Sequence, residues 1–143
     1  MIIRLAKPSD AEALYNLNLL FNGEGVSEED DIRVFLEMED QQEIVCVAEE
    51  EGKLLGFCCG QIYSSFCYKK PSGEITEFFV EESSRGQGVG KKLLAFMDDE
   101  FERYGVSSVR VLTGSDNFGA QKIYQGYGYE LDDDVMLLKE FGS

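Results

Sequence analysis

The chain contains no histidine. Imidazole is therefore excluded as a general base, as half of a Ser–His or Cys–His nucleophilic pair, and as a metal ligand. The four cysteines, Cys46, Cys58, Cys59 and Cys67, include no C-x-x-C pair. A zinc site lacks both of its common ligand sets, so no metal is expected. Cys46, Cys58 and Cys59 sit in apolar, strand-like runs and read as small core hydrophobes, whereas Cys67 falls in a loop. No apolar run approaches the length of a membrane span. The first residues, from Met1 to Ala6, read as a short strand rather than a signal peptide. A cytoplasmic protein with no membrane partner is the expectation. Positive charge is scarce: 13 Lys and Arg stand against 28 Asp and Glu, a formal net charge of −15. Such a surface repels a nucleic-acid backbone, so no nucleic-acid partner is expected. It favours cationic partners such as polyamines, aminoglycosides or basic peptides, or it serves solubility alone.

What is present is a chain of 143 residues, 43% hydrophobic and 12% aromatic. That suits a single globular domain, residues 1–143, able to bury a core. A strand is expected at 2–5, a capped helix at 11–20 and a second helix ending near Met38. Strands follow at 43–49 and 54–63, joined by a hairpin turn at Glu51, Gly52 and Lys53. Next come a loop at 64–73, a strand at 74–80 and a helix at 88–104. That helix places Val89, Leu93, Met97, Phe101 and Tyr104 on one face. A strand at 108–113, a short helix from Asn117 to Tyr124, and strands at 126–130 and 135–141 complete the chain. The order is βααβββαβαββ, an α/β (α+β) arrangement with a sheet of mixed direction.

The most informative stretch joins the 74–80 strand to the following helix: Arg85, Gly86, Gln87, Gly88, Val89, Gly90, Lys91, Lys92. Glycines at alternate positions allow tight turning and close approach. Helix-start N–H groups lack partners within the helix, and the dipole favours an anion there. Three cationic side chains lie nearby. The segment reads as a phosphate cradle, or as a glycine-rich helix start without a ligand. A Walker loop needs four residues between its first glycine and Gly-Lys, then Ser or Thr. Here three residues intervene and Lys92 follows. A dinucleotide fingerprint needs G-x-G-x-x-G, but the spacing is G-x-G-x-G. The Arg/Gln-x-x-Gly-x-Gly/Ala pyrophosphate loop fits residues 85–90 without a gap.

That loop, and the run from Asn117 through Ala120, Tyr124 and Gly128 to Tyr129, resemble the two motifs of the GNAT superfamily of N-acetyltransferases. The element order resembles its acyl-CoA N-acyltransferase fold over the whole chain. The resemblance implies acetyl-coenzyme A as cosubstrate, lying where the 74–80 and 108–113 strands part. It implies that backbone groups of Phe79 and Val80 meet the pantetheine arm, and that one of their N–H groups holds the acetyl carbonyl. The N–H groups of residues 86–91 would take the pyrophosphate, and Asn117 would contact the cofactor arm. A looser likeness to aminoglycoside 3-N-acetyltransferases rests on the 74–80 strand and on Asp134, Val135 and Met136. Relatives are often homodimers.

Transfer to an amine requires the ammonium to lose a proton, an oxyanion to be stabilised and a thiolate to leave. An ordinary amine pKa near 10.4 calls for a base. Without histidine, a carboxylate is the natural candidate, Glu77 or Glu74. Three residues apart, they face opposite sides of a regular strand unless a bulge intervenes. The resemblance to aminoglycoside-modifying enzymes favours Glu77, and that to histone-type relatives favours Glu74. A bulge N–H near Phe79 and Val80 would serve the oxyanion, worth about 3 kcal/mol. Tyr124 matches the family's acid position; otherwise it is a core tyrosine. Glu24, Glu28, Glu29, Asp30 and Asp31 gather acid in one region, and Asp132, Asp133 and Asp134 in another. These rims would draw a small polycationic amine, aminoglycoside-like or polyamine-like. The alternatives are a protein or peptide amine as acceptor, and a coenzyme A-binding regulatory module without turnover.

Overall fold

The computed structural model describes residues 1–39 and 43–142. It divides into two compact units, Met1–Leu112 and Thr113–Ser143.

The first unit holds a five-stranded sheet in the order β1-β2-β3-β4-β5. Its strands are β1 (Ile2–Leu5), β2 (Glu43–Glu50), β3 (Lys53–Tyr63), β4 (Ser72–Val80) and β5 (Val109–Val111). The first three pairings are antiparallel, and β4–β5 is parallel. This is the mixed α/β sheet that the element order implies. Helices α1 (Ala11–Asn22) and α2 (Glu29–Glu37) follow β1, and α3 (Val89–Arg103) joins β4 to β5.

Period-two alternation sorts the strand side chains onto two faces. Val45, Val47, Phe57 and Cys59 pack with Leu14 and Leu17 of α1 and Leu36 of α2. The opposite face carries α3. There Cys46, paired across strands with Cys58, lies with its Sγ 3.9 Å from the Leu93 carbonyl oxygen. Leu93, Leu94 and Met97 are fully buried, each worth roughly 1.5–3 kcal/mol. All three cysteines expected in the core are buried, Cys59 on the α1 and α2 face, and Cys67 is exposed. Tyr104 departs from the expected α3 stripe: it sits past the helix end as C-cap and is exposed.

The β2–β3 hairpin turns on Glu51 (φ 51°) and Gly52 (φ 79°). Two successive left-handed residues match the twist of the flanking strands, and glutamate occupies the position that Asn or Asp usually fills. A partly buried ion pair fastens β1 to the N-cap residue of α1. Arg4 donates from both terminal nitrogens to Asp10, at 2.8 Å each, and from Nε to Glu49 at 3.1 Å.

The second unit contains α4 (Phe118–Gly126). The strands expected at 126–130 and 135–141 are not formed. Residues 126–129 complete the helix instead, with the Tyr127 and Tyr129 N–H groups donating to the Tyr124 carbonyl and Gly128 at φ 100°. A strand exists through its ladder, and residues 131–142 enter none among the described residues. Their apolar side chains, Leu137 at 91% exposure among them, are exposed.

Candidate active site

The β3–β4 register shifts between Cys59 and Gly60: Cys59 faces Glu77, and Gly60 faces Ile75. Thr76 is thus the extra residue of a bulge. The bulge decides the question of Glu74 and Glu77. Glu77 shares a face with Cys59, and Glu74 shares one with Gln61, two positions further along β3. Both carboxylates therefore stand on the same face of the sheet, the one that α1 and α2 cover further along. A regular strand would have separated them.

The two glutamates differ in their partners. Glu74 accepts from Arg110 Nε at 2.6 Å, and the Arg110 guanidinium lies 5.7 Å from the Tyr63 ring centroid. Glu77 has no hydrogen bond or ion pair among the described residues. It is exposed, yet partial burial, with the neighbouring Glu43 carboxylate adding to it, raises its pKa above the ordinary glutamate value. Glu43, at the start of β2, is half-buried and accepts from the Thr76 hydroxyl at 2.9 Å. Burial raises its pKa too, and the Thr76 bond opposes the rise. Sequence reasoning missed Glu43 and Thr76, because their meeting depends on strand register and on a bulge.

Beyond Ile75, which pairs with Val111, β4 continues to Val80 with no strand on its β5 side within the first unit. The Glu81 N–H donates to Leu55 across the sheet at 2.9 Å. Antiparallel alternation then turns the Phe79 backbone groups toward β3, and those of Phe78 and Val80 away from it. Of the two expected backbone contributors, Val80 faces the open side. Its carbonyl accepts from Arg85 Nε at 2.8 Å. Phe79 instead sends its ring into an aromatic group, 5.1 Å from Phe21 and 6.1 Å from Phe57, with the Arg85 guanidinium over it at 5.6 Å. Arg85 therefore buttresses the strand end.

The glycine turn follows. Gly86 (φ 78°) and Gly88 (φ 83°) adopt left-handed conformations, and Gly88 is the α3 N-cap. The first helical bond runs from Lys92 N–H to the Gly88 carbonyl at 3.1 Å. The N–H groups of residues 86–91 find no acceptor among the described residues. No acidic residue occupies the first turn of α3, and Lys91 and Lys92 are exposed. Such a row of donors at a helix start, with two lysines beside it, suits a phosphate or pyrophosphate. Just upstream, Glu81 accepts from Ser83, Ser84 and Lys53. The serine hydroxyls and then Lys53 hold its pKa below the ordinary range.

In the second unit, Asn117 caps α4, its Oδ1 accepting from Ala120 N–H at 3.1 Å. Its side-chain carbonyl is thereby used, while its amide donors meet no acceptor among the described residues. Tyr124 is buried, with its ring edge-on to Tyr129 at 5.7 Å. Ile123, one residue earlier in α4, is exposed.

The sequence profile of the Acetyltransferase (GNAT) family matches residues 11–129. The chain is similar to the uncharacterized N-acetyltransferase YhfO of Bacillus subtilis, 31% identical over 139 residues, covering 92% of this chain and 91% of that protein. It is 26% identical over 88 residues to the spermine/spermidine N(1)-acetyltransferase of Bacillus subtilis, covering 59% of this chain and 58% of that protein. Its fold matches the crystal structure of an aminoglycoside acetyltransferase from an uncultured soil metagenomic sample in complex with sisomicin. The TM-score is 0.84 at 19% identity, over 99% of this chain and 96% of the other.

Proposed function

The chain belongs to the GNAT family of acetyltransferases, and from that premise we propose that it acetylates a primary amine of a small polycationic substrate, aminoglycoside-like or polyamine-like, by direct attack on the thioester of acetyl-coenzyme A. The family makes it an N-acetyltransferase, and acetyl-coenzyme A is the acetyl donor that GNAT acetyltransferases use. The proposal concerns the acceptor and the residues.

The observation that carries it is the β4 bulge, which sets the carboxylate of Glu77, unpaired among the described residues, on one face beside a strand edge that has no partner within its unit. Acetyl-coenzyme A supplies the activated acetyl group and a thiolate leaving group. The row of donors from Gly86 to Lys91, including Gln87 and Val89, fits its pyrophosphate, with Lys91 and Lys92 adding charge. Val80 offers its backbone on the open side of β4, and Asn117 its amide donors. Glu77 takes the ammonium proton and returns it to solvent, to which it is exposed. A carboxylate raised toward the working pH is the better base there. Glu74, occupied by Arg110, orders the base of the opening. Tyr124 donates the proton that the leaving sulfur needs. A net charge of −15 draws an acceptor with several ammonium groups. Relatives named for spermine/spermidine and for aminoglycosides support that substrate class.

The test is release of free thiol from acetyl-coenzyme A over a panel of amines. Turnover with spermidine- or kanamycin-like amines is expected. Turnover confined to peptide amines, or tight coenzyme A binding with no thiol released, would overturn the reading. In the same assay Tyr124→Phe should cut turnover at least about tenfold while leaving acetyl-coenzyme A affinity nearly unchanged. Unchanged turnover removes Tyr124 from the mechanism.

A further inference from the structure

Glu43 lies on β2, two strands away from the open edge, and no motif points to it. Three observations tie it to Glu77. The bulge places Thr76 and Glu77 consecutively beside the face that Cys59 and Gln61 define, instead of on alternating sides. Glu43 reaches that face through its pairing with Gln61. The Thr76 hydroxyl then donates to Glu43 Oε1 at 2.9 Å. The extra residue of β4 is therefore a bridge through the chain: its hydroxyl bonds Glu43, and Glu77 is its neighbour in sequence.

We propose that Glu43, held by the Thr76 hydroxyl at the bulge, is a positioning residue that makes Glu77 the proton-exchanging member of a two-carboxylate pair. The proposal rests on the reading of Glu77 as the base. A donated hydrogen bond favours the ionised form of its acceptor. Thr76 gives that bond to Glu43 and none to Glu77. That bond offsets part of the rise that burial causes in Glu43, and the Glu43 charge, close by and partly shielded from water, holds a proton on Glu77 to higher pH. Burial and the Glu43 charge both act in that direction on Glu77. On the ammonium side the balance is simple: the amine nitrogen loses a proton and one Glu77 oxygen gains it.

The other titratable groups on this face are few. Cys59 stands opposite Glu77 and is buried, and burial followed by the charges of Glu43 and Glu77 keeps it a neutral thiol. Glu74 is neutralised by Arg110, which also lies over Tyr63. The residues that α1 and α2 pack against the buried part of the face, such as Leu14, Leu17 and Leu36, are apolar. Among the described residues, Glu43 is thus the carboxylate placed to act on Glu77 without a cation of its own.

The experiment is a carbon-13 NMR titration of glutamate carboxyls in the full chain without ligand, beside the pH profile of kcat/KM for an amine that turns over. In Glu43→Gln the Glu77 midpoint should fall to lower pH, and the acidic limb of kcat/KM should move down with it. KM for acetyl-coenzyme A should stay the same, and Glu43→Asp should restore part of the wild-type profile. Thr76→Val should raise the Glu43 midpoint, and Thr76→Ser should leave it in place, so the Thr76 pair tests the bridge even if Glu43→Gln folds poorly. A Glu77 midpoint that does not move in Glu43→Gln, or a Glu43 midpoint indifferent to Thr76→Val, overturns the pair. A moved midpoint with an unmoved rate limb overturns Glu77 as the base, and with it the positioning role.

Discussion

A methyl group at Gly90 would stand 2.8 Å from Cζ of Phe78, whereas one at Gly86 or Gly88 would meet nothing within 4 Å. The three glycines of the turn are therefore glycine for two reasons. Gly86 and Gly88 supply positive φ, and Gly90 lets the first turn of α3 lie against a β4 aromatic ring. Gly90→Ala should destabilise the protein by about 1–3 kcal/mol through overpacking, read as a lower urea midpoint. Adding Phe78→Leu should recover part of that loss. The same Leu substitution should do nothing for Gly88→Ala, whose cost is backbone strain. The alternate spacing was legible in the sequence and led to a phosphate cradle. The division of labour was not, because it depends on which side chain of a separate strand comes to rest above the helix. Tyr104 shows the same limit: its spacing fits the apolar stripe, but the helix stops one residue short of it.

At the level of elements, turn chemistry and periodicity located all five strands of the first unit and every helix to within a few residues. The bulge was foreseen only as a condition under which Glu74 and Glu77 could share a face. Register depends on the partner strand, so one sequence segment cannot declare it. The two closing strands were misread because short alternating apolar runs resemble strands whether or not a ladder receives them. The start of α3 yields its own prediction. Lys91 and Lys92 reinforce unpaired N–H groups at the positive end of the helix dipole, each worth about 0.3–1 kcal/mol toward a bound anion. Lys91→Ala combined with Lys92→Ala should weaken acetyl-coenzyme A binding by up to roughly tenfold. The thermal shift on adding acetyl-coenzyme A should shrink accordingly. High salt should narrow the gap between variant and wild type.

Across the whole molecule, two carboxylates set opposite responses to pH. Burial alone would raise Asp10, but Arg4 and the Lys7 N–H outweigh it and hold its pKa low. Its stabilisation is full above the ordinary carboxylate range and is lost as pH falls through the lowered value. Glu43 is raised by burial, so the fold keeps its proton where the unfolded chain has released it. That contribution is present at acid pH and is lost as pH rises. Asp10→Asn should therefore cost roughly 2 kcal/mol at neutral pH, and the cost should fade in acid. Glu43→Gln should gain stability at neutral pH, and the gain should likewise vanish in acid. Urea melts at pH 7 and pH 3 read both. A carboxylate kept at a stability cost is what a working site would retain. The run of β4 that has no partner strand within its own unit has one more consequence. A bare sheet edge accepts any strand that arrives, including one from another copy of the same chain. A ligand bound at the site proposed along that edge would compete with such self-association by mass action. Concentrated stocks should then stay clear longer with acetyl-coenzyme A added than without it, read by light scattering.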